Sequence, residues 1–128
     1  MARLFLIALL VLSSGTAYAE WVEVGTTDDA TIYFDPDTIR RNGDRVKMWR
    51  LFDYKNIQTV LSDSNLSSNA QDEYDCAEVS SRNIALTFFT GHMGTGKVNH
   101  TESVEARWQP VRPGSAMNSL WKLVCDKE

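Results

Sequence analysis

The chain has 128 residues, 43% hydrophobic and 23% charged, with a formal net charge of −4. A mildly acidic chain gains no counterion-release advantage on nucleic acid and no attraction to anionic lipid, so neither is an expected partner. The length fits one domain and leaves little room for a second.

Arg3 is followed by Leu4 to Leu12, nine residues without a polar side-chain atom, and then by Ser13-Ser14-Gly15-Thr16 and Ala17-Tyr18-Ala19. A basic start, a short apolar run and a small-x-small end are the marks of a secretory signal peptide. Nine residues are too few to cross a bilayer, which needs about 20. The expectation is a signal peptide over 1–19, cleaved before Glu20, and a mature domain over 20–128. Removing 1–19 takes away Arg3 and leaves 12 basic against 17 acidic residues, a charge of −5. No cysteine follows Ala19 to accept a lipid, and no second stretch is apolar enough to span, so no membrane anchor is expected. The expected location is periplasmic or secreted.

Trp21 to Val24 reads as a short strand, Thr26 to Asp29 as a turn, and Thr31 to Phe34 as a second strand of β-branched and aromatic residues. Asp35-Pro36-Asp37-Thr38-Ile39 reads as a short helical turn, because proline presets the backbone and an aspartate side chain accepts orphan amide protons. Asn42-Gly43-Asp44 signals a type I′ hairpin. Arg45 to Tyr54 is the longest strand expected. Alternation puts Val46, Met48, Phe52 and Tyr54 on one face with Arg50 among them, and Trp49 and Leu51 on the other with Arg45, Lys47 and Asp53. Large apolar groups on both faces argue for a central strand covered in part on each side.

Lys55 to Gln71 is polar and reads as a loop with room for ragged strand. Glu73 to Val79 reads as a strand carrying Cys76, and Asn83 to Thr90 as another whose Ile84, Leu86 and Phe88 face the core. Gly91 to Gly96 is a glycine-rich loop, and Thr101 to Trp108 a final strand ended by Pro110 to Gly114. Beyond Ser115, a capping residue, Met117, Leu120, Trp121 and Val124 fall at i, i+3, i+4 and i+7, one stripe of an α-helix. The architecture expected is α+β: a single antiparallel sheet of about six strands with a C-terminal helix packed against it.

Two cysteines, Cys76 and Cys125, remain outside the leader. In an exported chain an even pair reads as a disulfide, here tying the last turn of the helix to the sheet. The pair lacks Cys-x-x-Cys spacing, and His92 and His100 are the only imidazoles, so neither a redox motif nor a four-ligand zinc site is formed. Gly91 to Val98 approaches a phosphate-binding loop, but Val98 replaces the magnesium-binding hydroxyl and no helix follows. Asp63 to Tyr74 departs from a calcium loop at its sixth and twelfth positions. No metal and no cofactor are expected. His92 and His100 lack the motif context of a hydrolase. Four tryptophans are many for this length; most belong in the core of a small sheet, while Trp49 or Trp108 is a candidate exposed anchor for a partner.

The order of several patches resembles a known family. They are Trp21, Ile32-Tyr33-Phe34-Asp35-Pro36-Asp37-Thr38-Ile39, Lys47-Met48-Trp49, Asp53-Tyr54, Tyr74-Asp75-Cys76, Leu86-Thr87-Phe88-Phe89-Thr90-Gly91, Trp108-Gln109-Pro110-Val111 with Pro113-Gly114-Ser115, and Val124-Cys125. Together they resemble the bacterial surface-adhesin E family over nearly the whole mature chain. The resemblance implies a bacterial source, an antiparallel sheet of about six strands with a C-terminal helix, a Cys76–Cys125 bridge, and adhesion to host matrix or plasma proteins. The function expected is a non-enzymatic protein-binding or cell-envelope module whose partner is an envelope or host extracellular-matrix protein. The competing readings are a structural homodimer and, last, a small periplasmic hydrolase using His92 or His100.

Overall fold

The structure is a computed structural model and describes residues 20–103 and 105–126. The expected leader and its cleavage point after Ala19 fall on residues 1–19, outside the described residues. Eight strands form one antiparallel sheet: β1 Val22–Thr26, β2 Ala30–Phe34, β3 Arg40–Asn42, β4 Arg45–Val60, β5 Asp63–Asp75, β6 Ser80–Phe89, β7 Val98–Glu102 and β8 Gln109–Pro110. The order across the sheet is β1-β2-β4-β5-β6-β7. The short β3 lies in line with β2 along β4, and β8 in line with β7 along β6. Among the described residues one α-helix, α1 (Ala116–Cys125), packs on one face. The expected fold class is therefore the observed one, with six strands across and two short pieces in line.

Local chemistry sets several elements. The Asp35 side chain accepts from the Asp37 amide and caps a 3-10 turn over Pro36–Thr38. Ser115 Oγ accepts from the Asn118 amide at 3.1 Å and starts α1. The helix lays Leu120 and Val124 against Ile32, Val46, Met48 and Tyr74, the buried core. Its far end is tied down three times. Cys76 and Cys125 form a disulfide, Trp121 Nε1 donates to the Asp75 carbonyl, and an Arg41 nitrogen donates to the Val124 carbonyl, an orphan of the helix end.

The polar stretch from Lys55, read as a loop with room for ragged strand, is strand except at its Leu61-Ser62 turn. β4 runs on to Val60 and β5 begins at Asp63, with Val60 paired to Asp63. The connecting Leu61 and Ser62 both sit at positive φ, 51° and 71°. That is the backbone of a two-residue type I′ turn made without glycine or asparagine, so its usual sequence mark is missing. The Asn42-Gly43-Asp44 hairpin also differs. Asn42 pairs within β3, and of Gly43 and Asp44 only Gly43 has positive φ, the pattern of a type II′ turn. Cys76 lies just past the end of β5, in a turn where Asp75 Oδ1 accepts from the Ala77 and Glu78 amides. A bulge between Asn83 and Ala85 takes Ile84 out of register, while Leu86 and Phe88 stand opposite Ala70 and Ser68 as half-buried residues. The last strand is displaced: β7 is Val98–Glu102, and the described residues from Ser103 to Trp108 lie outside strands.

Candidate functional site

Trp49 and Arg50 are neighbours in the first half of β4 and point to opposite faces. The faces differ in their cover. On one, α1 seals the core. On the other, the Gly91–Lys97 loop covers Leu51 and Ser67, both fully buried. That loop is held by Ser67, whose hydroxyl donates to the Gly91 carbonyl at 2.6 Å and accepts from the Gly94 amide at 2.9 Å. Gly94 has positive φ, and a side chain there would press on Leu51.

Beside that loop the second face stays open at Trp49. A shallow depression of about 270 Å³ is lined by Trp21, Asp35, Thr38, Trp49 and Asn69. Both tryptophans are half-buried. The backbone beneath is fixed: the Asp35 amide donates to the Trp49 carbonyl at 3.1 Å and the Trp49 amide donates to Thr38 Oγ1 at 3.0 Å. The 3-10 turn thus props the rim on which Trp49 stands. Trp21 joins by position, just before β1.

Trp108 is placed differently. Its ring lies between two guanidinium groups, with Arg45 Cζ at 4.9 Å and Arg82 Cζ at 4.6 Å from the ring. Arg82 is itself clamped by Glu73 at 2.7 Å and reached by Glu105 at 3.3 Å. Arg45 pairs with Asp75 at 3.7 Å. Trp108 lines its own depression with Asp75, Glu78 and Ser80. The two candidate tryptophans are therefore not brought into one pocket.

The remaining sequence candidates lie apart. His92 Nδ1 sits 3.0 Å from Asp53 Oδ1, which also accepts from the Met93 amide, but the imidazole is 55% exposed and lines neither tryptophan depression. His100 Nε2 is 2.9 Å from Glu102 on β7. The stretch read as a poor calcium loop forms β5, and its Asn65 is fully buried, accepting from Asn99 Nδ2 at 2.9 Å.

Beneath α1 the structure holds a group of residues that alternation alone assigned only in part. Arg50 Nε donates to Asp72 Oδ2 at 2.8 Å, with side chains 8% and 0% exposed. Tyr74 donates to the same oxygen at 3.2 Å, and Asn83 Nδ2 donates to Asp72 Oδ1. The Arg50 guanidinium lies 3.9 Å over the Phe52 ring. Burial works against the Arg50 charge, but Asp72 and the Tyr74 and Tyr54 oxygens outweigh it and hold its pKa above the ordinary value. Burial, then Asp72, push the Tyr74 phenol well above 10.0 despite Arg50. Asp72 was invisible as a partner while the preceding residues read as a loop; the signal available was Arg50 on the apolar side of β4.

Comparison with known proteins places this frame. No curated protein sequence matches the chain. Solved structures of Haemophilus influenzae protein E do. Its selenomethionine form superposes with a TM-score of 0.65 at 11% identity, over 88% of this chain and 90% of that one. The native protein E gives 0.65 at 11% over 87% of each chain, and a second crystal form gives 0.63 at 11% over 86% of this chain and 97% of that one. At that identity the likeness carries the fold alone. The family model for surface-adhesin protein E matches residues 21–126, which takes in both tryptophan sites, the buried arginine and the disulfide, and the chain belongs to that family.

Proposed function

We propose that this chain, after removal of residues 1–19, is an exported, non-enzymatic protein-binding module of a bacterial envelope or surface, and that it engages its partner through the open sheet face at Trp49 and Trp21. The observation that carries the reading is the placement of Trp49: a large aromatic on the longest strand, an interior one of the sheet, on the face that the helix leaves uncovered, beside a second tryptophan. Tryptophan supplies much of the energy of protein interfaces when it enters a partner's pocket, and a rigid strand holds it without ordering cost. Family membership supports the surface role and an envelope or host extracellular-matrix protein as the partner class. Trp108 serves this face as a fixed neighbour, its ring already held between Arg45 and Arg82.

The test is capture of the immobilised full domain against solubilised envelope proteins and against purified host matrix proteins, with Trp49→Ala and Trp21→Ala run beside it. Saturable binding lost in both variants is the expected result. Binding that both variants retain would overturn the assignment to this face, and absence of any saturable protein partner would overturn the module itself.

A further inference from the structure

The helix face holds a second site, independent of the tryptophan surface. Between β6, the segment before β8 and the first turn of α1 lies a cavity of about 430 Å³, within the range of small-ligand pockets. Arg50 and Phe52 contribute to its lining on one side, Ser115 and Met117 on another, and Arg107 and Arg112 also line it; among the described residues no carboxylate does. Arg82 lines it too, but its guanidinium is occupied by Glu73 and Glu105.

The Arg50 side chain is only 8% exposed, and the one hydrogen bond it makes among the described residues leaves from Nε. Both terminal nitrogens therefore lack a protein acceptor there. Among the described residues no fully buried side-chain nitrogen or oxygen is left without a partner. The unpaired Nη atoms are thus the part of Arg50 that the cavity reaches. Asp72 fixes the guanidinium from behind, the Phe52 ring lies against its plane, and Tyr74 and Asn83 hold Asp72 in turn. A planar fork held at one edge and open at the other matches a carboxylate in the two-bond mode. The first turn of α1 adds to this. Ser115 uses its hydroxyl and carbonyl on Asn118 and Ser119, and the helix start places its positive end toward the same space. Arg107 and Arg112 are exposed and make no ion pair among the described residues. Phe52, Met117, Ala106 and Pro110 add apolar wall, interrupted by the neutral polar Ser81, Asn83 and Gln109.

We infer that this cavity binds an organic carboxylate with an apolar body, its headgroup on the Arg50 Nη fork and its body against Phe52 and Met117. Free acids and the carboxyl terminus of a peptide share that chemistry. The test uses the full domain with its disulfide intact, titrated with phenylacetate and, in a second arm, with an acetylated dipeptide ending in phenylalanine. Amide and arginine Nε–H shifts are followed by NMR, with phenylacetamide, the peptide amide and inorganic phosphate as controls. Saturable shifts at Arg50, Asn83 and Met117 are expected with the two carboxylates, and neither amide should reproduce them. The tighter arm identifies the source. Arg50→Lys keeps the charge but loses the fork and should weaken binding about tenfold. Ala106→Glu, at an exposed lining position away from the core, should abolish binding with the melt unchanged, which keeps the test valid if the Arg50 variant folds poorly. Equal shifts from acid and amide, phosphate binding as tight as the carboxylates, no saturation at millimolar ligand, or unchanged binding in Ala106→Glu would each overturn the inference.

Discussion

Trp49 and Arg50 sit one peptide apart and invert the usual distribution of side chains. The aromatic stands on the side the helix leaves open, and the charge lies nearly buried on the helix side, open only toward the cavity. Scattered apolar groups on a surface need no explanation, but a buried charge does, and so does an aromatic pair on an uncovered face. The difference teaches that the two faces carry separate tasks. The helix face spends its polar groups on a closed network around Asp72 with one opening at the cavity. The open face keeps its polar groups, Lys47, Gln71 and Asn69, in half-buried positions around an aromatic centre.

The largest effect expected comes from breaking the buried side. Arg50→Ala leaves Asp72 in the core with only neutral donors, and loss of one partner of a buried pair destabilises by about 3–5 kcal/mol. Arg50→Met combined with Asp72→Asn removes both charges together and should lose clearly less. Urea unfolding of the single and double variants measures the gap, and equal losses would show that packing, not charge pairing, holds this site. Next is the bridge. Cys76→Ser with Cys125→Ser opens a link across 49 positions, and the chain-entropy model puts the loss at about 4 kcal/mol. A melt unchanged in the double-serine variant would mean that Trp121 and Arg41 hold the helix alone.

A pH scan sharpens the same contrast. Folding keeps the Tyr74 proton at pH values where the unfolded chain has lost it, so the unfolded state binds fewer protons and stability falls as pH rises. The contribution is complete below the ordinary tyrosine value of 10.0 and disappears above it, toward the raised folded value. Tyr33 shifts in the same direction, through burial and then Glu23 and Asp53, so the informative quantity is the difference from the parent. Tyr74→Phe should lose about 1 kcal/mol at neutral pH, for its hydrogen bond to Asp72, and should show a shallower alkaline limb. Parallel limbs in parent and variant would place the titration elsewhere.

The sequence carried these features unequally. β2, the Asp35 cap, the Ser115 cap and the stripe of α1 were legible because each is a local signal, a β-branched run, a capping side chain or a period of 3.6. The alternation of β4 placed Trp49 and Arg50 on opposite faces from pattern alone. The outer half of the β4–β5 hairpin was not legible, because its strands are polar and its turn at Leu61-Ser62 has no glycine. Polar strands form there because neighbouring strands satisfy their backbones, which is tertiary information. The Asp72 network was hidden for the same reason: its members meet only through the pairing of Met48 with Asp72 and Asp72 with Asn83. The open fork of Arg50 depends on which nitrogens that pairing uses, and no spacing in the chain records it.

The sharpest separation comes from the two tryptophans, and Trp49→Ala carries the smallest stability effect. Trp108→Ala removes a ring stacked between two guanidinium groups, worth roughly 0.5–1 kcal/mol for each contact at a partly exposed site. It also frees Arg45 and Arg82, which keep their carboxylate partners, so the loss should stop near about 2 kcal/mol. Trp49→Ala takes a half-buried ring from a face with little above it, and the loss should be about 1 kcal/mol or less. Partner binding should rank them the other way, with Trp49→Ala abolishing capture and Trp108→Ala leaving most of it. The reason is availability: a ring already held by two cations gains little from a partner, while a ring whose backbone is fixed by Thr38 and which shares an open depression with Trp21 has its contact area still to bury. If thermal melts and capture instead rank the two variants in the same order, the open face is simply part of the core.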